Sequence, residues 1–284
     1  MLKRLPSYDG GPLLYLVVTP LGNLSDIAPR VIEALKASSR IYAEDTRNAR
    51  KLLSYLGIEG KLLSSIRSQN ERDEAAKAVA LLKEEGGAIA YMSDAGHPCL
   101  SDPGAALVHE AVAQGIASTI VPATSAALAA YCLSGFPDAR FSFQGFLPLS
   151  GKERKAVIEA IKERKEPTIV YEAPTRIVKT LKDLEEVMGE EREISLSREI
   201  SKIHEETIHG TLGDFSTLEE GSLRGEIAFV VEGSKEEAKA ISEDELDAYI
   251  KRHLSLGKGA VKAAMEDLGV GRKAAYASYL RVKD

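Results

Sequence analysis

The sequence predicts an α/β protein: two α/β domains, the first with a mainly parallel sheet and the second with a mixed sheet, then a small C-terminal helical extension. Three observations predict it. Apolar runs alternate with amphipathic stretches through the first 122 residues, which implies crossover connections and parallel strands. From about Thr124 the apolar runs crowd together with only two long helical stretches between them. Such crowding leaves strands that must pair without a helical crossover, hence a mixed sheet. Past Glu245 only short helical patterns remain. The expected domains are 1–122, 123–233 and 234–284.

Each element follows from its local pattern. Leu13 to Val18 is a continuous apolar run between Gly11-Pro12 and Thr19-Pro20, as in a strand buried on both faces. Ser25 is placed to cap a helix with Pro29 in its first turn and Val31, Ile32 and Leu35 on one face. A strand at Ile41–Ala43, a helix from Thr46 to Leu56 and a strand near Leu62 follow. Glu71 to Glu85 reads as a long helix closed by Gly86-Gly87, because glycine ends helices in the left-handed conformation. Then come a strand at Ala88–Met92, a helix at Pro103–Gln114 and a strand at Ser118–Val121.

In the second domain a helix at Ser125–Leu133 precedes strands at Phe141–Phe146, Thr168–Tyr171, Ile194–Ser197, Glu206–Ile208 and Ile227–Val231. The helices between them are Lys152–Arg164 and Arg176–Val187. Ser234 to Asp244 is charged and linker-like. Helices at Glu245–Leu254, Gly259–Leu268 and Lys273–Leu280, with glycines in the turns, suit a helix-turn-helix module and a small helical cap equally well.

Composition narrows the class. With 44% hydrophobic and 28% charged residues, the chain resembles an ordinary globular protein. Cys99 and Cys132 lie far apart and form neither a disulfide framework nor a zinc site. There is no HExxH and no Cys/His cluster, so no metal is expected. No apolar run approaches the roughly 20 residues that span a bilayer, and the first residues lack the apolar core of a signal peptide. A cytoplasmic location and no membrane partner are expected. Net charge is −6, yet residues 251–284 hold eight Lys/Arg against three acids. The surplus there is +5, leaving −11 on the rest. That asymmetry suits a nucleic-acid-facing tail as well as a solvated helical face.

Five loops place Gly, Pro and small polar residues directly after expected strands: Thr19–Leu24, Ala43–Arg47, Ser93–Gly104, Val121–Ala126 and Tyr171–Arg176. Ligands of open parallel sheets collect at the carboxyl ends of strands. The same residue types also make ordinary strand-to-helix turns. Ser93–Gly104 is longer than a minimal connection of about 2–6 residues, which favours a ligand wall there. None of the loops has the glycine spacing of a dinucleotide fingerprint or a P-loop. Of the histidines, His97 alone sits inside a loop; His109, His204, His209 and His253 read as structural.

The ordered set of motifs resembles the tetrapyrrole-methylase superfamily of S-adenosylmethionine-dependent enzymes. More narrowly it resembles the ribosomal RNA small-subunit methyltransferase I family. The stretches that carry the resemblance are Thr-Pro-Leu-Gly-Asn-Leu (19–24), Ala-Glu-Asp-Thr-Arg (43–47), Ser-Asp-Ala-Gly-His-Pro (93–98) with Asp-Pro-Gly (102–104), and Phe-Leu-Pro (146–148). Tyr-Glu-Ala-Pro-Thr-Arg (171–176), Arg-Glu-Ile-Ser-Lys (198–202) and Glu-Glu-Thr-Ile-His-Gly (205–210) complete it. It runs from about Leu13 to Gly233, with the last forty residues resembling a helical extension. The chain departs from the family's usual Pro-Gly-Pro-Ser-Ala at Pro122-Ala-Thr-Ser-Ala126, and from its usual Thr-Pro at His97-Pro98.

The resemblance implies a cofactor folded into the cleft between two domains and a homodimer. It also implies methylation of a cytidine ribose 2′-hydroxyl in the decoding region of 16S rRNA, in the small ribosomal subunit. By motif position, S-adenosylmethionine would contact Pro20, Ser93, Asp94, Ala95, Gly96, Pro98, Ser125, Ala126, Tyr171, Leu196 and Ala228. A ribose hydroxyl is a very weak acid, so a general base or strong electrostatic partner is expected. Glu44 and Asp45 at a strand end, with Arg47 beside them, are the candidates. The same three residues also suit a helix cap with a local ion pair. RNA phosphates call for basic patches, and the tail and Lys152–Lys165 are the expected ones. Two rival readings are a tetrapyrrole carbon methyltransferase and a non-catalytic nucleic-acid-binding relative. The first would need a cleft lined with Arg and Lys.

Overall fold

The computed structural model describes residues 3–235 and 242–283. Residues up to Gly233 form one compact unit and those from Ser234 a second. In the first unit, β1 (Leu13–Val17), β2 (Arg40–Ala43), β3 (Leu62–Ser65), β4 (Ala88–Met92) and β5 (Ala117–Val121) form a sheet in the order β3-β2-β4-β1-β5. Every pair in it is parallel. Helices α1 (Pro29–Ala37), α2 (Thr46–Tyr55), α3 (Glu71–Glu85) and α4 (Ala105–Gln114) make the crossovers. Alternate strand residues feed two cores. Leu14, Tyr42, Ile89 and Tyr91 pack against α3 and α4 through Leu82 and Leu107. Val17, Ile41, Ala90 and Met92 pack against α1 and α2 through Leu35 and Leu53. Burial on both faces is why the inner strands β1 and β4 read as unbroken apolar runs.

A second sheet follows in the same unit: β6 (Ser142–Phe146), β7 (Thr168–Glu172), β8 (Glu193–Arg198), β9 (Glu206–Thr211) and β10 (Ile227–Val231). Its order is β6-β7-β10-β8-β9. Only β6 and β7 run parallel; the other pairs are antiparallel. Helix α5 (Ala126–Ser134) covers one face through Ala127 and Ala130. Helices α6 (Gly151–Glu163) and α7 (Ile177–Met188) cover the other through Ile158, Ile161, Leu181 and Leu184.

Several element ends differ from expectation, each for a local reason. Ser25 does not cap α1. It sits in a single 3-10 turn, Leu24–Asp26, where its own amide donates to Asn23 Oδ1 at 3.0 Å. Helix α4 starts at Ala105, not Pro103, because Gly104 at φ 131° lies outside helical space. A four-residue helix, α8 (Leu212–Phe215), closed by a reciprocal Thr211–Asp214 capping box, is too short to leave a periodic signal.

The second unit holds α9 (Glu243–Arg252), a 3-10 turn at Leu254–Leu256, α10 (Gly259–Leu268) and α11 (Arg272–Lys283). Its own core contains Leu246, Ile250, Ala260, Ala264, Ala275 and Tyr279. Ser242 caps α9 with Glu245 reaching back, so this helix starts two residues before the expected Glu245. Of the expected linker, residues 236–241 lie outside the described residues, and Glu243 and Asp244 belong to α9. Among the described residues no helix is long and apolar enough to cross a membrane.

Candidate active site

The loops at the carboxyl ends of β1, β2 and β4 are stitched together. Thr19 and Gly96 exchange two backbone hydrogen bonds of 3.0 Å each. The Thr19 hydroxyl donates to the Ser93 carbonyl at 3.2 Å. The Asp94 carboxylate accepts from the Asp45 amide at 3.3 Å and from Asn48 Nδ2 at 2.9 Å.

Segment 93–104 has a built conformation. Cys99 and Ser101 are held at φ 70° and 66°, a left-handed backbone that costs of order 1 kcal/mol or more for residues with a Cβ. Gly104 is required, since a Cβ there would fall 2.9 Å from Cys99 Sγ and 3.0 Å from the Tyr91 ring. Glu71 Oε1 accepts from the Gly104 and Ala106 amides at 2.7 and 2.9 Å, so a side chain of α3 secures the start of α4. From the second sheet, a Cβ at Gly145, beside a bulge in β6, would lie 3.2 Å from Ser101 Oγ. The strained pair is thus clamped on both sides, and Asp102 follows it at the wall of a cavity.

That cavity has a volume of about 390 Å³, a size suited to a small-molecule ligand. Of the residues expected to touch a cofactor, Asp94, Ala95, Gly96, Ser125, Ala126, Tyr171 and Ala228 line it, together with Glu44. Ser125 and Ala126 do so from the first turn of α5, which Ser125 caps. Tyr171 meets Phe143 and Phe146 edge-on, with centroids 5.0 and 5.7 Å apart, and pairs with Ala228 across β7 and β10. His97, the one histidine placed inside a loop by sequence, also lines the cavity, as do Leu21, Asp102, Ile200 and Glu226, which were not expected contacts. Leu21, Asp102 and Ile200 lie inside the family's motifs, but nothing in their spacing separates them from ordinary turn residues.

The remaining expected residues lie off the wall. Ser93 is buried beneath it, its hydroxyl donating to the Gly96 carbonyl at 3.3 Å. Pro98 is buried as well, and Pro20 follows the Thr19–Gly96 bridge without reaching the cavity. Leu196 faces the opposite side of its sheet, in the core with Phe229 and α7, because it pairs with Phe229 while its neighbour Ser197 pairs with Ala228. Asp45 caps α2, accepting from the Arg47 amide at 2.8 Å, and its carboxylate also holds Arg47 Nε at 3.0 and 3.1 Å. The cap-and-ion-pair reading therefore describes these two residues.

Three carboxylates approach one another at the wall: Glu44, Asp94 and Asp102. Burial, then the charges of Glu44 and Asp94, push Asp102 up to about 6, against partial relief from the Ser93 hydroxyl. Burial and Asp94 also raise Glu44. Asp45 is the contrast: hydrogen bonds from the Arg47 side chain and amide hold it well below the usual carboxylate range. Burial lowers His97, keeping its imidazole neutral at pH 7. Among the described residues no group of three or more His, Cys, Asp or Glu is arranged to hold a metal ion.

Comparison with known proteins agrees with this geometry. Residues 13–216 match the model of the tetrapyrrole (corrin/porphyrin) methylases. The chain is 38% identical to ribosomal RNA small subunit methyltransferase I of Halalkalibacterium halodurans, over 98% of this chain and 99% of that protein. It is 39% identical to the protein of that name from Bacillus subtilis, with the same coverage. The Escherichia coli O157:H7 protein is 38% identical over 93% of each chain. Among solved structures, diphthine synthase superposes with a TM-score of 0.61 at 14% identity, covering 78% of this chain and 89% of that one. The methyltransferase CobJ does so at 0.59 and 20%, covering 78% and 94%; these two support the fold alone. The chain belongs to the ribosomal RNA small subunit methyltransferase I family, within the tetrapyrrole methylases.

Proposed function

We propose that the chain transfers a methyl group from S-adenosylmethionine to the ribose 2′-hydroxyl of a cytidine in the decoding region of 16S rRNA, within the small ribosomal subunit. The observation that carries this reading is the convergence of the family's motif loops on one cavity with carboxylates in its wall. The wall suits this cofactor. Leu21, Ile200, Tyr171 and Ala228 supply apolar surface for a purine, and the carboxylates of Glu44, Asp94 and Asp102 suit hydroxyl donors and a cationic sulfur. When bound, S-adenosylmethionine supplies an electrophilic methyl carbon whose bond to sulfur breaks with the electron pair left on sulfur.

The protein's own part is to orient the ribose hydroxyl, exclude water and accept a proton. A base works best when its pKa lies near the working pH. Asp102, pushed up to about 6, is ionised at pH 7–8 and is a stronger acceptor than an ordinary carboxylate. Glu44, raised for the same reasons, stands beside it as the second acceptor. Asp45 and Arg47 serve by fixing the start of α2, whose Asn48 holds Asp94.

The reading as a tetrapyrrole carbon methyltransferase is weaker. Among the described residues the cavity wall carries neither Lys nor Arg, whereas a polycarboxylate substrate needs cations there. We further propose lobes 1–122 and 123–233 around the cavity, a homodimer, and work in the cytoplasm. The test is to incubate the protein with labelled S-adenosylmethionine and small subunits that lack the modification. Label in the ribose of one cytidine supports the reading. Label on a base, or none in RNA, refutes it.

A further inference from the structure

Helix α2 carries a stripe that the cavity does not use. Arg47, Arg50, Lys51 and Ser54 line one shallow open groove on its outer face. Their spacing of three, four and seven residues puts them on one side of the helix. Between Thr46 and Tyr55 there is no acid. Arg47 is 81% exposed even while paired with Asp45, and Arg50 and Lys51 are exposed. Tyr55, one turn beyond Lys51, is 63% exposed. A chain of net charge −6 thus keeps an acid-free row of cations ending in an open aromatic ring.

The stripe starts at the cavity. Asp45 and Asn48, on the first turn of α2, hold the Asp94 carboxylate that lines the wall. Arg67, exposed at the end of β3, donates from Nε to the Glu44 carbonyl at 3.2 Å. Arg67 and Arg47 therefore flank the corner where Glu44 enters the cavity, and the stripe runs about 12 Å away from it along the helix.

We propose that this face of α2 is a docking track for the single-stranded RNA that carries the target nucleotide. Arg67, Arg47, Arg50 and Lys51 hold successive phosphates, and Tyr55 stacks on a base. Cations following a backbone beside an aromatic platform are how single strands are gripped without sequence readout. A strand held along α2 is led toward Glu44 and the cavity mouth. The inference rests on the proposed rRNA substrate; it adds where that substrate lies.

The test compares the full-length wild type with Arg50→Gln/Lys51→Gln and with Tyr55→Ala. Binding to unmodified small subunits is measured across a salt series, and S-adenosylmethionine binding by calorimetry. Loss of two phosphate contacts flattens the slope of log K against log salt by about 1.4. It also weakens RNA binding about tenfold or more at 0.1 M salt. Tyr55→Ala weakens binding about fivefold or more with the slope retained. Cofactor affinity stays within twofold in all three proteins, and Arg50→Lys/Lys51→Arg restores the slope. A control, Lys36→Gln/Lys182→Gln on α1 and α7, leaves the slope as in wild type. If the α2 pair changes the slope no more than this control, the track does not exist. If the wild type itself does not bind small subunits, the rRNA reading fails instead, and the two failures are told apart.

Discussion

A Cβ on Gly22 would fall 2.6 Å from Cγ of Lys202, so the loop after β1 and the loop after β8 pack without room for a methyl group. Lys202 Nζ meanwhile pairs with Glu199 at 2.9 Å and Glu226 at 3.2 Å. The Ser201 hydroxyl donates to the Asp26 carboxylate, 175 residues away in sequence. Leu21 and Ile200, the neighbours of this latch, both line the cavity. Gly22→Ala adds strain at φ 142° and pushes the lysine stem off its partners. We expect a loss of about 1–2 kcal/mol in urea unfolding, because the flexible stem absorbs part of the clash. Calorimetry should show S-adenosylmethionine binding weakened several-fold.

Helix α2 depends on its cap. Asp45 satisfies the Arg47 amide and anchors its guanidinium. Asp45→Ala removes both, and loss of such a cap costs about 1 kcal/mol. The ion pair adds little because Arg47 is exposed. Asp45→Asn keeps the cap acceptor and should recover most of the loss. A chemical denaturation series on the two variants separates cap from charge.

Beneath the Tyr171–Arg176 loop lies a buried charge network. Arg154 is 5% exposed and donates to Asp183 at 2.9 Å, the Pro148 carbonyl at 3.0 Å and Thr180 at 2.9 Å. The Thr180 hydroxyl in turn donates a hydrogen bond to Glu172 at 2.7 Å, and Glu172 accepts from the Ala173 amide and pairs with Arg176. Asp183→Ala leaves the buried guanidinium without a counter-charge. The expected cost is about 2–3 kcal/mol, the low side of a buried pair because Asp183 keeps some solvent contact. Lys179→Ala, which removes only the exposed partner of the same carboxylate, should cost under about 0.5 kcal/mol. Equal losses in the two variants would contradict this account.

How far the sequence foretells these features depends on the range of the forces that set them. Strand β4 and helix α3 end where expected, because an apolar run and a Gly-Gly stop are local signals. Ser25 misled because it falls inside a 3-10 turn capped by Asn23, and α1 starts later, at Pro29, behind Ala28 and without a side-chain cap. Of the wall residues that could be named, Asp94, Ala95 and Gly96 sit in the over-long Ser93–Gly104 loop, whereas Ser125, Ala126, Tyr171 and Ala228 followed only from the family's motif positions. Leu196 could not be placed, since only its register opposite Phe229 tells which face it occupies. Asp102 was invisible for a deeper reason. Its character comes first from burial, then from Glu44 in another loop and from Asp94 eight residues back in its own loop, a surrounding that exists only in the folded chain.

Asp102 should trade stability against activity. Its folded pKa of about 6 lies above the ordinary aspartate value of 3.8, so the fold prefers the protonated carboxyl. The stability this contributes is complete below pH about 4 and is lost as pH rises through about 6. At pH 8 the ionised group is a liability: the shift sets an upper bound of about 3 kcal/mol, which solvent contact reduces to about 1 kcal/mol. Asp102→Asn removes the charge and should unfold at higher urea than wild type at pH 8, with no gain at pH 4. As the proton acceptor is lost, the rate of methyl transfer should fall by about 10²-fold or more. Calorimetry in buffers of different ionisation heat gives an independent reading. A cationic sulfur near the carboxylates drives Asp102 to ionise, so cofactor binding at pH 6 should release up to about half a proton in wild type. Asp102→Asn should release almost none. A variant that keeps wild-type rate and proton release would move the proton acceptor to Glu44.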